Sequence, residues 1–236
     1  MDRAAHASRQ AALIAVLALA GCVPPPTRIP MASISVAAPV PTRTLVVFLP
    51  GRGSDAETFV KHGFADPRVD VVFADATEGY YFDGTVVARL HDDVIAKAGA
   101  HGDDRVWLVG VSLGGLGAIL YAREHPGDVA GIVLLAPYLG DDTLRREIES
   151  AGGLRSWNGD DARGGLDGAI RGAWGWLRDT RTPIWLGYGR SDRLRRSHAL
   201  LAAALPAERV ATVDGGHVWA AWKALWAQLL AKGAAD

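Results

Sequence analysis

Beyond residue 43 the chain alternates two patterns: short unbroken apolar runs, and longer stretches in which apolar positions recur every three or four residues. Thr44-Leu-Val-Val-Phe-Leu49, stopped by Pro50-Gly51, reads as a fully buried strand. The runs at 69–74, 105–110, 129–135, 183–188 and 209–213 read the same way. Between them, 55–62, 84–99, 113–124, 141–151, 167–178, 194–204 and 218–231 carry helical spacing. Continuous apolar strands separated by helices predict an α/β fold, a mostly parallel sheet covered on both faces. The last helix places Trp219, Trp222 and Trp226 at three- and four-residue intervals, a stripe expected to pack in the core.

The N-terminal region follows a different pattern. Arg3 and Arg9 precede a run from Ala11 to Ala20 without a polar residue. Ten apolar residues are too few to span a bilayer as a helix, which takes about 20, but they fit the core of an export signal. The run ends in Leu19-Ala-Gly-Cys22, which resembles the lipobox of bacterial lipoprotein signal peptides. That resemblance implies cleavage after residue 21, a lipid on Cys22, and attachment to the bacterial cell envelope on its periplasmic or outer-surface face. An ordinary secretory signal, or a buried helix with an incidental Cys, is the plainer alternative. Pro24, Pro25, Pro26, Pro30, Pro39 and Pro41 make residues 22–43 a proline-rich spacer, so one folded domain is expected over 44–236.

Composition narrows the function. Lys and Arg total 25 against 26 Asp and Glu, and the pI is near 6.7, which argues against a nucleic-acid partner. The single Cys excludes an intramolecular disulfide. With no HExxH, no cysteine cluster and no Walker sequence, the chain implies neither a catalytic metal nor a nucleotide cofactor.

The central motif is Gly110-Val-Ser-Leu-Gly114. With 28 glycines in the chain, roughly 0.13 such matches are expected by chance, so the letters alone decide little. Its place decides more: the motif closes the strand at 105–110 and opens the helix at 113–124, as a nucleophile elbow requires. Gly110, Gly114 and Gly117 loosely mimic a dinucleotide-binding loop. That fingerprint belongs on the first strand and has a different spacing, so it is rejected.

A nucleophilic serine needs a base and an orienting acid. Of the six histidines beyond the signal region, only His217 follows a strand in a glycine-softened loop, Asp214-Gly-Gly-His217. His62, His91, His101, His125 and His198 lie in or beside polar helical stretches and are expected to face solvent. Asp192 follows the strand at 183–188, giving the chain order Ser, Asp, His. Asp214 competes for the acid's role, but a residue so close to His217 suits the turn better. The oxyanion hole is expected from the N–H of Leu113 and one from Pro50-Gly-Arg-Gly-Ser54, at Arg52 or Gly53.

Gly-Val-Ser-Leu-Gly-Gly at 110–115, Leu-Pro-Gly-Arg-Gly at 49–53, Gly-Arg-Ser-Asp at 189–192 and Gly-Gly-His at 215–217 together resemble the α/β-hydrolase superfamily. The resemblance covers essentially all of 44–236. Many relatives carry His-Gly where this chain has Pro50-Gly51, and the residue after that pair commonly donates the second N–H, which carries over to Arg52. It implies a serine hydrolase with Ser112, Asp192 and His217 as its triad, acting on a small-molecule ester through an acyl-enzyme and without a cofactor. Thioesterase, lipase and peptidase chemistry remain open on the same fold, as does a non-catalytic, membrane-tethered binding module. Residues 136–182 leave room for only a small or absent cap, which favours small or short-acyl esters. Gly53, Tyr81, Trp157 and Trp174 are candidate pocket residues, the alternative for the Trp residues being core and lid-to-body packing.

Overall fold

The structure, a computed structural model, describes residues 27–98, 104–159 and 164–235. Seven strands form one sheet: β1 (Ser33–Val36), β2 (Thr44–Leu49), β3 (Asp70–Ala74), β4 (Arg105–Val111), β5 (Gly131–Leu135), β6 (Ile184–Gly189) and β7 (Val210–Val213). Their order is β1-β3-β2-β4-β5-β6-β7, and every pairing is parallel except that of β1 with β3. The helices are α1 (Ala56–Lys61), α2 (Glu78–Phe82), α3 (Val86–Leu90), α4 (Leu113–Glu124), α5 (Asp142–Ser150), α6 (Gly165–Asp179), α7 (Arg195–Ala202) and α8 (Trp219–Ala231). A π-helical turn, His91–Ile95, continues α3.

Strand pleating sorts the apolar runs into two cores. Leu45, Val47, Leu49, Leu108, Ile132 and Leu134 face one layer, with α3 to α7 above them. Val46, Phe48, Trp107, Val109, Val133 and Leu135 face the other, covered by α1 and α8. That second layer is aromatic: Phe48 lies 5.2 Å from Phe59 and from Phe73, and 5.3 Å from Trp226. The Trp stripe of α8 packs there, with Trp222 and Trp226 buried.

One expectation needs correction, and one unassigned stretch gains an element. Residues 33–36, read as part of a linker, form the edge strand β1, paired with β3 from Ser33↔Ala74 to Val36↔Val71. Around it, the Met31 amide donates to Asp93 and the Ala38 amide to Asp70, at 2.8 and 2.7 Å. Tyr80 bonds the Arg28 backbone. The folded domain therefore takes in residues 28–43. Ser-Ile-Ser-Val is half polar and flanked by prolines, so nothing local marks it as a strand; β3 supplies the missing partner. The stretch 75–82, to which the pattern assigns no element, holds the one-turn helix α2. The signal at 1–21 and Cys22 lie outside the described residues. No helix among the described residues is long and apolar enough to cross a membrane.

Candidate active site

β4 runs straight into α4 through Ser112, whose φ of 52° and ψ of −113° lie in a region that side chains seldom adopt. The flanking glycines make the turn possible by close approach. A Cβ on Gly114 would lie 2.1 Å from the Leu49 carbonyl oxygen, and one on Gly110 2.3 Å from that of Gly114. The serine backbone is held from three sides: its N–H donates to Leu135, and its carbonyl accepts from Gly115 and Tyr138, at 2.8–3.0 Å.

The candidate base and acid come from neighbouring loops joined backbone to backbone. The Arg190 amide donates to Val213 and the Ser191 amide to Gly215, both at 2.9 Å. A Cβ on Gly189 would lie 2.3 Å from the Gly215 carbonyl oxygen, so the two loops meet with no side chain between them. As a result His217 Nδ1 lies 2.8 Å from Asp192 Oδ2, and His217 Nε2 lies 2.8 Å from Ser112 Oγ. The His217 ring meets Trp222 edge to face at 4.9 Å.

Asp192 is fully buried. Burial pushes its carboxyl pKa up, but the His217 hydrogen bond and the Leu194 amide at 2.8 Å outweigh that and hold it below the usual carboxylate value. Asp214 takes no part: its side chain is 95% exposed and pairs with Arg190. Of the two candidate acids, it is Asp192 that lies against His217.

Over the serine lies the loop at 50–54, close enough that a Cβ on Gly51 would sit 3.2 Å from that of Ser112. The Gly53 amide donates to Glu78 at 2.9 Å. Of the two residues proposed for a second oxyanion donor, this leaves Arg52. Its guanidinium is exposed, with Nε 4.0 Å from Glu78. Leu113 is the first residue of α4, where an N–H has no acceptor within its own helix.

The pocket residues divide. Gly53 is exposed on the loop beside the serine. Trp174 is fully buried and donates to the Leu139 carbonyl at 2.8 Å; Trp157 is buried and donates to Glu147 at 2.9 Å. Both belong to the core beneath α5 and α6. Large indoles with a single N–H to satisfy pack best where a fixed acceptor waits, and here the fold supplies one for each. The Tyr81 hydroxyl is buried against α4, where a Cβ on Gly117 would come within 2.3 Å of it; burial raises its pKa. Another part of Tyr81 borders an open cleft of about 500 Å³, with Phe82 and Leu166.

Two residues escaped sequence reasoning. Glu78 accepts the Gly53 amide and so holds the loop at 50–54, and its only local mark is a carboxylate in the stretch after β3. His198, expected at the surface, is fully buried, with Nε2 2.9 Å from the Pro137 carbonyl oxygen. Burial lowers its pKa to about 4, so the ring is neutral and donates from Nε2. It steadies the 136–138 turn, whose Tyr138 amide holds Ser112. The helical pattern of α7 gave no sign of this, because the pattern does not say which polar side chain faces inward. His62 stacks on Trp219 at 4.6 Å, His91 and His125 are partly exposed, and His101 lies outside the described residues.

A serine at a strained strand–helix turn, hydrogen-bonded through a histidine to a buried aspartate on a mostly parallel sheet, defines an α/β-hydrolase fold. Comparison with known proteins agrees. The model of a family described as serine aminopeptidase S33 matches residues 41–157. Among solved structures, the substrate-bound fluorophosphonate-binding serine hydrolase F of Staphylococcus aureus is 16% identical, with a TM-score of 0.56 over 86% of this chain and 98% of its own. The monoacylglycerol lipase of Paleococcus ferrophilus is 16% identical, with a TM-score of 0.54 over 86% and 99%. A ferulic acid esterase is 13% identical, with a TM-score of 0.56 over 82% and 85%. At such identities the likeness is one of fold. No curated protein sequence matches significantly.

Proposed function

We propose that the protein is a serine hydrolase that cleaves carboxylic esters of small or short-chain acids. The observation that carries this reading is the unbroken hydrogen-bonded line from Ser112 Oγ through His217 to the buried Asp192. Ser112 attacks the ester carbonyl carbon while His217 Nε2 takes the hydroxyl proton, and Asp192 holds the imidazole and balances its charge. The amides of Leu113 and Arg52 receive the oxyanion. Collapse of the tetrahedral adduct releases the alcohol, protonated by His217. Water, deprotonated by the same imidazole, then attacks the acyl-enzyme and frees the acid. The short stretch 136–182 leaves little room for a cap, which favours an open site.

A peptidase is the second reading, favoured by the serine aminopeptidase family match over 41–157. The same three residues serve both reactions, and the leaving group distinguishes them. The lipobox-like Leu19-Ala-Gly-Cys22 further supports a lipid-anchored envelope protein, with Cys22 as the attachment point.

The test is fluorophosphonate labelling beside Ser112→Ala and His217→Ala, followed by short p-nitrophenyl esters, thioesters, emulsified long-chain lipids and aminoacyl anilides. Labelling that needs both residues, with turnover of short esters, is the expected result. Anilide turnover without ester turnover favours the peptidase, and a folded protein that never labels returns the binding module. For the anchor, Cys22→Ser is expected to release the protein from membranes; retention on them overturns the lipoprotein reading.

A further inference from the structure

Ser112 stands at one end of α4. At the other, thirteen residues on and so about 20 Å away at 1.5 Å per residue, three donor side chains meet. His91 comes from the π-helical turn after α3, His125 caps α4, and Asp128 follows in the loop before β5. His91 Nδ1 and His125 Nδ1 lie 3.7 and 3.6 Å from one oxygen, Asp128 Oδ2. Ligands about 2.05 Å from a tetrahedral zinc ion stand about 3.4 Å apart, so the three donors already approach that spacing.

Beneath them Tyr121 is fully buried. Its hydroxyl donates to Asp128 Oδ2 at 3.0 Å and lies 3.0 Å from His91 Nδ1. This hydrogen bond orients the carboxylate. The three donors are only partly covered, with side chains 28–38% exposed, so an ion can reach them.

We infer that His91, His125 and Asp128 form a site for one divalent first-row transition-metal ion of the zinc class. Two imidazole nitrogens and one carboxylate oxygen suit such an ion and disfavour calcium or magnesium, which prefer oxygen alone. Water completes the coordination. The two imidazoles stack with centroids 4.4 Å apart and planes 6° apart, which sets both rings on the same side of the cluster; a ring has to rotate out of the stack for both lone pairs to meet at one ion. π-helical turns often mark functional sites, and this one brings His91 to the end of α4. The ion fastens α3 to the end of α4 and takes no part in the acyl chemistry.

The test uses the full chain without a histidine tag, stripped with chelator and titrated with ZnCl2 by calorimetry and with CoCl2 by visible absorption. Saturable uptake of one equivalent, with the visible bands of four-coordinate cobalt, is the expected result. His91→Ala and His125→Ala should weaken uptake at least about 100-fold, and the orienting Tyr121→Phe about tenfold, while fluorophosphonate labelling stays unchanged in the histidine variants. If the alanine variants fold poorly, His91→Gln and His125→Gln take their place. No saturable uptake, or uptake unchanged in the His91, His125 double variant, overturns the inference.

Discussion

The two ends of α4 are built on opposite principles. At the Ser112 end the backbone does the positioning: Gly110 and Gly114 bring strand and helix so close that a methyl group has no room, and Gly51 lays the loop against Ser112. At the His125 end side chains do it, with Tyr121, His91, His125 and Asp128 meeting across half-exposed space. The first arrangement tolerates almost no change and holds a strained serine. The second accommodates rotation, which suits a ligand that must draw its donors together. A fold can thus carry a rigid site and an adaptable one on a single helix.

The contrast is sharpest in the reaction. Asp192→Asn should lower kcat/KM by about 10⁴-fold, because the amide no longer holds His217 in the needed tautomer. Asp214→Asn, at the exposed alternative, should change it less than about twofold. Ester hydrolysis measured side by side would break the assignment if the two variants fell equally.

Stability should separate the ends next. Gly114→Ala sets a Cβ against two backbone carbonyls, those of Leu49 and Pro50, neither of which can swing aside as a side chain would. A loss of about 4 kcal/mol or more is expected in urea unfolding. Tyr121→Phe at the opposite end removes one hydroxyl and should cost about 1 kcal/mol.

A third difference is in pH. His198 titrates near 4 in the folded protein against about 6.5 unfolded, so the unfolded chain binds the extra proton first as pH falls. Its contribution is full above about pH 6.5 and is lost as pH falls toward 4, up to about 3 kcal/mol. Asp192, with its pKa also lowered, adds stability that disappears only at more acid pH, as its own carboxylate is protonated. Unfolding at pH 7 and pH 4.5 should therefore show a smaller difference for His198→Gln than for the parent chain. An equal difference would mean that burial of this ring does not drive the acid sensitivity.

A further effect concerns the loop at 50–54. Glu78→Gln keeps the shape but loses the charged acceptor for the Gly53 amide, and kcat/KM should fall about tenfold while KM changes little. A fall confined to KM would mean that Glu78 acts on binding rather than on the transition state.

Much of this was written locally. The apolar runs gave six strands nearly to the residue, since a strand buried on both faces must be apolar throughout. The elbow was legible because close backbone approach permits only glycine at Gly110 and Gly114. His217 stood out for the same reason, following two glycines after a strand.

What the sequence could not settle are the features whose cause lies in a distant residue. β1 becomes a strand because β3 offers it an edge. Trp157 and Trp174 went to the core because Glu147 and the Leu139 carbonyl were there to accept their N–H groups, and His198 because Pro137 was. The choice between Asp192 and Asp214 turned on burial and on the joining of two loops, and the cluster at His91, His125 and Asp128 on a π-turn meeting a helix end. Local pattern fixes which residues must be apolar or must lack a side chain, because those constraints act within a few residues. Which polar groups meet is decided only when the sheet closes, because a hydrogen bond has to find its partner in three dimensions.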